Sequence, residues 1–375
     1  MKNKKYYSIL IILFYLVLVS NQQAVAQPQV NARAAILIDA ETGKVLYNKN
    51  MHEVRPPAST TKIMTGILAI EYGNLAEQVS ASNRAAYEGG SSIHLIPEET
   101  LTLRELVYGL LVKSGNDAAV AIAEHIGGSV EEFAEIMNQK AREVGALQTT
   151  FKNPNGLPQE GHLTTAYDLA QITRYALEND FFAEVVATPK KRISWPGNAW
   201  DRILINTNRL LTRSEMVDGV KTGYTSAAGK CLVASATKNG QQLISVVLKG
   251  GDVWNDSLTL LSYGFNNYSK VDIITKGELI KEIEFRNGKQ LGLKAADEFR
   301  LAIDNESQIN LKQVIDLNQD IRLPVEVGEK VGKLSIYDSD EQLLGRVDLI
   351  ADRDIEASAW INFWRRLTSI VQTYF

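Results

Sequence analysis

Apolar and polar positions recur with two different periods along this chain, and the period changes at identifiable places. Ala34-Ala35-Ile36-Leu37-Ile38 and Lys44-Val45-Leu46-Tyr47 are apolar runs around a Glu41-Thr42-Gly43 turn, the pattern of two strands. From about 57 to 185 the spacing becomes helical, as in Ile63-Met64-Thr65-Gly66-Ile67-Leu68-Ala69-Ile70 after Pro56-Pro57, in Leu103–Lys113 and in Asp117–Ile126. Strand patterns return at 216–222, 231–237 and 242–248. Strands, then helices, then strands predict an α+β fold with helices packed on an antiparallel sheet.

Ser262-Tyr263-Gly264-Phe265-Asn266-Asn267 reads as the close of this first domain, 27–270. Over 271–354 the text changes to alternating segments such as Glu282-Ile283-Glu284-Phe285, Ile321-Arg322-Leu323 and Gly332-Lys333-Leu334-Ser335-Ile336-Tyr337. These predict a small β-rich domain, a stalk or spacer with no cluster suggesting chemistry.

Both ends carry their own patterns. Lys2, Lys4 and Lys5, an apolar run from Tyr6 to Val19, and Ala24-Val25-Ala26 compose a secretory signal peptide over 1–26. The apolar run is shorter than the ~20 residues of a membrane span, which favours cleavage over anchoring. In 355–375, Trp360, Trp364, Leu367, Val371 and Tyr374 recur at helical spacing, beside Arg365 and Arg366. That predicts an amphipathic helix lying on the outer face of the cytoplasmic membrane; docking on its own domain or a dimer contact is the competing reading. The mature protein is thus expected to be extracytoplasmic and peripherally membrane-associated.

Composition adds exclusions. A net charge of −4 gives no basic field for nucleic acid. With 45 % hydrophobic residues there is material for a sizeable core. Cys231 is the one cysteine, so no internal disulfide can form. His52, His94, His125 and His162 are scattered, so neither a metal site nor a cofactor is expected.

Candidate chemistry lies in three short motifs in order: Ser59-Thr60-Thr61-Lys62, Ser114-Gly115-Asn116 and Lys221-Thr222-Gly223. Near a helix start, residues i and i+3 share a face, so Ser59 and Lys62 can meet. Ser-x-x-Lys alone is a weak signal, with roughly one or two chance matches per chain of this length. Ser235-Ala236-Thr237-Lys238 is a second match, but on a strand i and i+3 face opposite ways, which removes it. Ser114-Gly115-Asn116 falls between two helical patterns, and Lys221-Thr222-Gly223 ends a strand-like run.

The set resembles the penicillin-binding protein and β-lactamase superfamily, and more narrowly the low-molecular-mass D-alanyl-D-alanine carboxypeptidases. Pro57–Met64, Val217–Thr225, Asn153-Pro154-Asn155-Gly156-Leu157-Pro158 and Gly161-His162-Leu163-Thr164-Thr165 carry the likeness. It implies a β-lactamase/transpeptidase-like domain, a five-stranded antiparallel sheet with helices and the site between them. It also implies the substrate, a peptidoglycan pentapeptide ending in D-Ala-D-Ala, and β-lactam antibiotics as inhibitors.

Under that resemblance Ser59 is the acylated nucleophile and Lys62 its base, provided burial and Lys221 keep the amine neutral. Ser114 shuttles a proton to the leaving amine, or else is only a helix cap. Asn116 holds the substrate amide; Lys221 and Thr222 bind its carboxylate. Gly223 permits close approach, and the Ser59 and Tyr224 N–H groups form the oxyanion hole. Arg209 reads as a surface arginine or a carboxylate support, and Glu88-Gly89-Gly90-Ser91-Ser92 as a mobile lip. A class A-like β-lactamase is the first rival, but such an enzyme needs a deacylating glutamate, and Leu147–Pro154 has no acid. A non-catalytic cell-wall-binding protein is the second.

Overall fold

The computed structural model describes residues 27–285, 288–304, 311–318, 321, 323–339 and 341–356. The predicted leader and nearly all of the predicted terminal helix lie outside the described residues.

The strands are β1 (Ala32–Asp39), β2 (Val45–Lys49), β3 (Gln78–Ser80), β4 (Thr100–Thr102), β5 (Lys190–Ile193), β6 (Arg202–Ile205), β7 (Val217–Thr225), β8 (Gly229–Lys238) and β9 (Gln241–Gly250). Five of them form one antiparallel sheet in the order β2-β1-β9-β8-β7. The strand closest to the N-terminus is therefore interior, next to the edge strand β2, and β7 forms the other edge.

β1 shows why the sheet is a two-sided wall. Successive side chains on a strand face opposite ways. Ala34, Ile36 and Ile38 enter one core with the helical block, while Ala35 and Leu37 enter another. That second core is closed by the helix Val253–Asn267, which packs on β1, β8 and β9. Sequence reading placed only a domain boundary in this phrase, because its helical face is interrupted by asparagines and aromatics.

The helical block comprises Lys62–Tyr72, Leu103–Leu111, Asn116–Gly127, Val130–Glu143, Ala166–Leu177 and Asp180–Ala187, with a short turn at Asn83–Ala86. The first of these runs through its middle, with every residue from Lys62 to Ala69 buried. A helix buried on all sides needs apolar residues on all sides; the Thr65 hydroxyl is satisfied by the Pro154 carbonyl at 2.6 Å, and Lys62 is the charged exception that requires an explanation.

Beyond Asn267 come β10 (Tyr268–Ile274), β11 (Leu279–Glu284), β12 (Gln290–Ala295), β13 (Phe299–Asp304), β14 (Lys312–Leu317), β15 (Lys330–Tyr337) and β16 (Leu343–Ala351). β10 pairs with β13, and the others order as β11-β12-β16-β15-β14 around Leu291, Leu293, Leu334, Ile336, Val347 and Leu349. Ile321 and Leu323 lie outside any strand, contrary to the alternating pattern read there. Ile355 does not begin a helix: it forms a bridge with Val325 and is buried. Among the described residues no helix is long and apolar enough to cross a membrane.

Candidate active site

The nucleophile motif sits on a tight turn. Ala58–Thr61 is a 3-10 helix that runs directly into Lys62–Tyr72. Residues i and i+3 eclipse on such a turn, so Lys62 Nζ lies 3.1 Å from Ser59 Oγ. Ala58 takes φ +51, a left-handed conformation costly for alanine. Two glycines make room for the turn. A Cβ on Gly156, at φ +87, would collide with the Ala58 carbonyl, and one on Gly223 would come within 3.0 Å of Ser59 N. Gly223 thus lets the edge strand β7 close against the nucleophile.

Lys62 is fully buried, and its nitrogen has two further partners, Asn116 Oδ1 at 2.7 Å and the Asn155 carbonyl at 2.6 Å. Burial first, and then the charge of Lys221, push its pKa well below the usual lysine range, against weaker opposing pulls from Asp117 and Glu88. A neutral amine has two N–H donors and one lone pair. Two acceptors match the donors, and the lone pair is left for the Ser59 hydroxyl.

Ser114 is not a helix cap. The cap of Asn116–Gly127 is Gly115, while Ser114 takes φ +68 and turns its hydroxyl into the cleft. There Lys221 Nζ donates to Ser114 Oγ at 2.9 Å. Lys221 is also buried, and desolvation lowers its pKa to about 7. Thr222 Oγ1 is 2.7 Å from Thr207 Oγ1. Ser59, Ser114, Thr222, Gly223 and Tyr224 line one cleft of about 590 Å³, together with Arg209, Thr207 and Trp254. Arg209 is an exposed arginine at the cleft wall. The Tyr224 ring is exposed as well.

The lip is tied down rather than free. Asn116 Nδ2 donates to the Gly89 carbonyl at 2.5 Å, and Asn155 Nδ2 to Glu88 Oε1 at 2.8 Å. The buried carboxylate of Asp117 accepts from Ser92 Oγ at 2.5 Å, from Ile93 N at 3.0 Å and from Leu95 N at 3.1 Å. Glycine content suggested mobility, and the three residues that anchor the segment, Asn116, Asp117 and Asn155, lie beyond it in sequence. Motif spacing also passed over Asn155, Asp117 and Thr207, because their contacts arise from a carbonyl, loop anchoring and a loop-to-strand hydroxyl pair. The second Ser-x-x-Lys match stays on β8: Ser235 Oγ donates to Asp218 Oδ1 at 2.5 Å, and Lys238 is exposed.

Residues 21–251 match the family model described as D-alanyl-D-alanine carboxypeptidase, and 268–357 match the penicillin-binding protein 5 C-terminal domain. The chain belongs to the D-alanyl-D-alanine carboxypeptidase family. It is 36 % identical to D-alanyl-D-alanine carboxypeptidase DacF of Bacillus subtilis, over 89 % of this chain and 88 % of that protein. It is 32 % identical to DacC of Escherichia coli, over 92 % and 89 %. Penicillin-binding protein 5 of Haemophilus influenzae superposes with a TM-score of 0.73 at 27 % identity, covering 89 % of this chain and 100 % of that one. This family is a family of serine-type peptidases, and the expected fold class stands: a five-stranded antiparallel sheet with helices, followed by an all-β domain.

Proposed function

We propose that Ser59 attacks the peptide carbonyl between the two terminal D-alanines of a peptidoglycan stem peptide. The observation that carries this is the buried Lys62 amine, 3.1 Å from Ser59 Oγ with both of its N–H donors already engaged. Lys62 takes the Ser59 proton as the Oγ–C bond forms, and negative charge develops on the carbonyl oxygen. The N–H groups of Ser59 and Tyr224 receive that charge. As the C–N bond breaks, Ser114 passes its proton to the departing D-alanine amine and recovers one from protonated Lys62, with Lys221 at 2.9 Å as its partner. Water then cleaves the acyl-enzyme and releases the shortened stem peptide.

Asn116 orients the substrate amide while holding Lys62. Lys221, Thr222 and Arg209 supply the carboxylate subsite. β-Lactams follow the same acylation route and are held on Ser59. The decisive assay is D-alanine release from a diacyl-D-Ala-D-Ala peptide, wild type against Ser59→Ala. Release at equal rates from both, or rapid wild-type turnover of penicillin, would overturn the assignment.

The sequence patterns at the two ends support an exported protein whose residues 1–26 are removed and whose segment 357–375 docks on the membrane face. The 271–354 domain acts as the spacer between that anchor and the 27–270 catalytic domain.

A further inference from the structure

His162 has no part in the chemistry above, yet it is buried and fully hydrogen-bonded directly behind the nucleophile turn. Lys152 N–H donates to its Nδ1 at 3.0 Å. A backbone N–H can only donate, so Nδ1 is the acceptor and the neutral ring carries its proton on Nε2. Nε2 lies 2.8 Å from Thr61 Oγ1, and Thr61 Oγ1 lies 2.9 Å from the Ala58 carbonyl oxygen. The donor direction is thereby set along the whole line: ring N–H to hydroxyl oxygen, hydroxyl hydrogen to carbonyl. Burial first and the nearby Lys152 charge second lower the ring's pKa to about 4, so the neutral form persists at neutral pH.

The end of this line matters because a peptide group is planar. The Ala58 carbonyl and the Ser59 N–H belong to one rigid plane, so fixing the oxygen fixes the direction of the N–H. Ala58 is at φ +51, a conformation that reverts unless its surroundings hold it. We infer that His162 is a positioning residue: through Thr61 it orients the Ala58–Ser59 peptide plane and so aims the Ser59 N–H at the developing oxyanion. This inference rests on the acyl-transfer reading given above.

The test uses Thr61→Val, which keeps the side-chain shape and removes the hydroxyl, against Thr61→Ser, which keeps the hydroxyl. Thr61→Val should lower kcat for D-alanine release, and the rate of acylation by penicillin, by about 10–100-fold, since whole oxyanion donors are worth ~10²–10³. KM should move little, Thr61→Ser should stay near wild type, and the infrared carbonyl stretch of the penicilloyl adduct should rise in frequency in Thr61→Val. His162→Ala should lower the same rates, and the His162→Ala/Thr61→Val double variant should be no slower than the slower single, as expected for two members of one line. Melting temperatures on the same samples separate lost folding from lost alignment. A folded Thr61→Val that acylates at the wild-type rate, an unmoved carbonyl stretch, or losses that multiply in the double variant would overturn the inference. A wild type that acylates with penicillin but releases no D-alanine would remove the proposed activity, while the carbonyl stretch would still report on Ser59 N–H.

Discussion

Lys221 and Ser114 meet at 2.9 Å although 107 residues separate them, one on the edge strand and the other on the connection between two helices. The contact joins the two halves of the catalytic domain across the cleft. It also places a second buried amine near Lys62, and its charge helps keep Lys62 neutral. On the proposed mechanism the two lysines divide the work: one is the base, the other the electrostatic partner of the proton shuttle and the substrate carboxylate.

Exchanging Lys62 for arginine separates base from charge. Arginine is never neutral in a protein, so Lys62→Arg keeps the positive charge and loses the base. Its kcat/KM for D-alanine release should fall by at least about 10³-fold, comparable to Ser59→Ala, as for groups that act as one unit. Fluorescent penicillin labelling should fall with it. Retention of a tenth of wild-type activity would rule out Lys62 as the base.

The rate should lose its base as pH falls through the lowered pKa of Lys62. Asp117 raises that pKa, so neutralising it should lower the pKa further. The acid limb of kcat/KM against pH is expected to lie at lower pH in Asp117→Asn than in wild type. A limb that moves upward, or stays in place, would contradict the electrostatic assignment. The same variant should melt lower, because Asp117 accepts several hydrogen bonds in a fully buried place, a setting in which losing one charged acceptor costs about 1.5–3 kcal/mol.

Stability should depend on pH in the opposite sense to a salt-bridged lysine. Lys221 has a folded pKa of about 7 against 10.5 unperturbed. Between those values the unfolded chain binds the extra proton, so unfolding free energy rises with pH across that window. Below about 7 both states are protonated, and the stability cost of burying the charge is present in full. The melting temperature of wild type minus that of Lys221→Met should therefore increase from pH 7 to pH 10. A flat difference would show that Lys221 keeps its ordinary pKa.

Gly156→Ala tests the fit between the Asn153–Leu157 loop and the nucleophile turn. The new methyl would strike the Ala58 carbonyl and force alanine to φ +87. Backbone strain of this kind costs about 1–3 kcal/mol, and either the turn or the loop must yield. Lower melting together with slower acylation is expected. Normal acylation with normal melting would mean that the loop can retreat freely.

Removal of residues 357–375 is the membrane test. The cut should follow Glu356 and not Ile355, because Ile355 pairs with Val325 inside the β-rich domain. Cell fractionation should show the truncated protein released into the soluble extracytoplasmic fraction. Unchanged membrane association would remove the anchor proposal.

Residue order revealed the elements better than the contacts. The three motifs were legible because Ser59/Lys62 and Ser114/Asn116 each lie within one turn of backbone, where spacing sets geometry. The strand reading of Lys221-Thr222-Gly223 was legible for the same local reason. The contact of Asn155 with Lys62 was not, since it is made by the carbonyl, a group every residue carries. The cap reading of Ser114 failed because Gly115 takes the cap position, while the Ser114 hydroxyl finds its partner in Lys221, remote in sequence. Mobility of the lip was inferred from Gly89 and Gly90, whereas Asp117 and Asn116 decide it.

The interior place of β1 has a consequence for when the enzyme exists. β1 lies between β2 and β9, with Ala32 opposite Gly250, so the sheet cannot close until the chain as far as residue 250 is available. Ser59 and Lys62 emerge early in synthesis, but the strand that lines their cleft and the one that completes its support come roughly 160 to 190 residues later, and such distant pairings form late. A chain that ends short of residue 250 therefore lacks both the strand that lines the cleft and the one that supports it, and activity begins only once the whole catalytic domain is present.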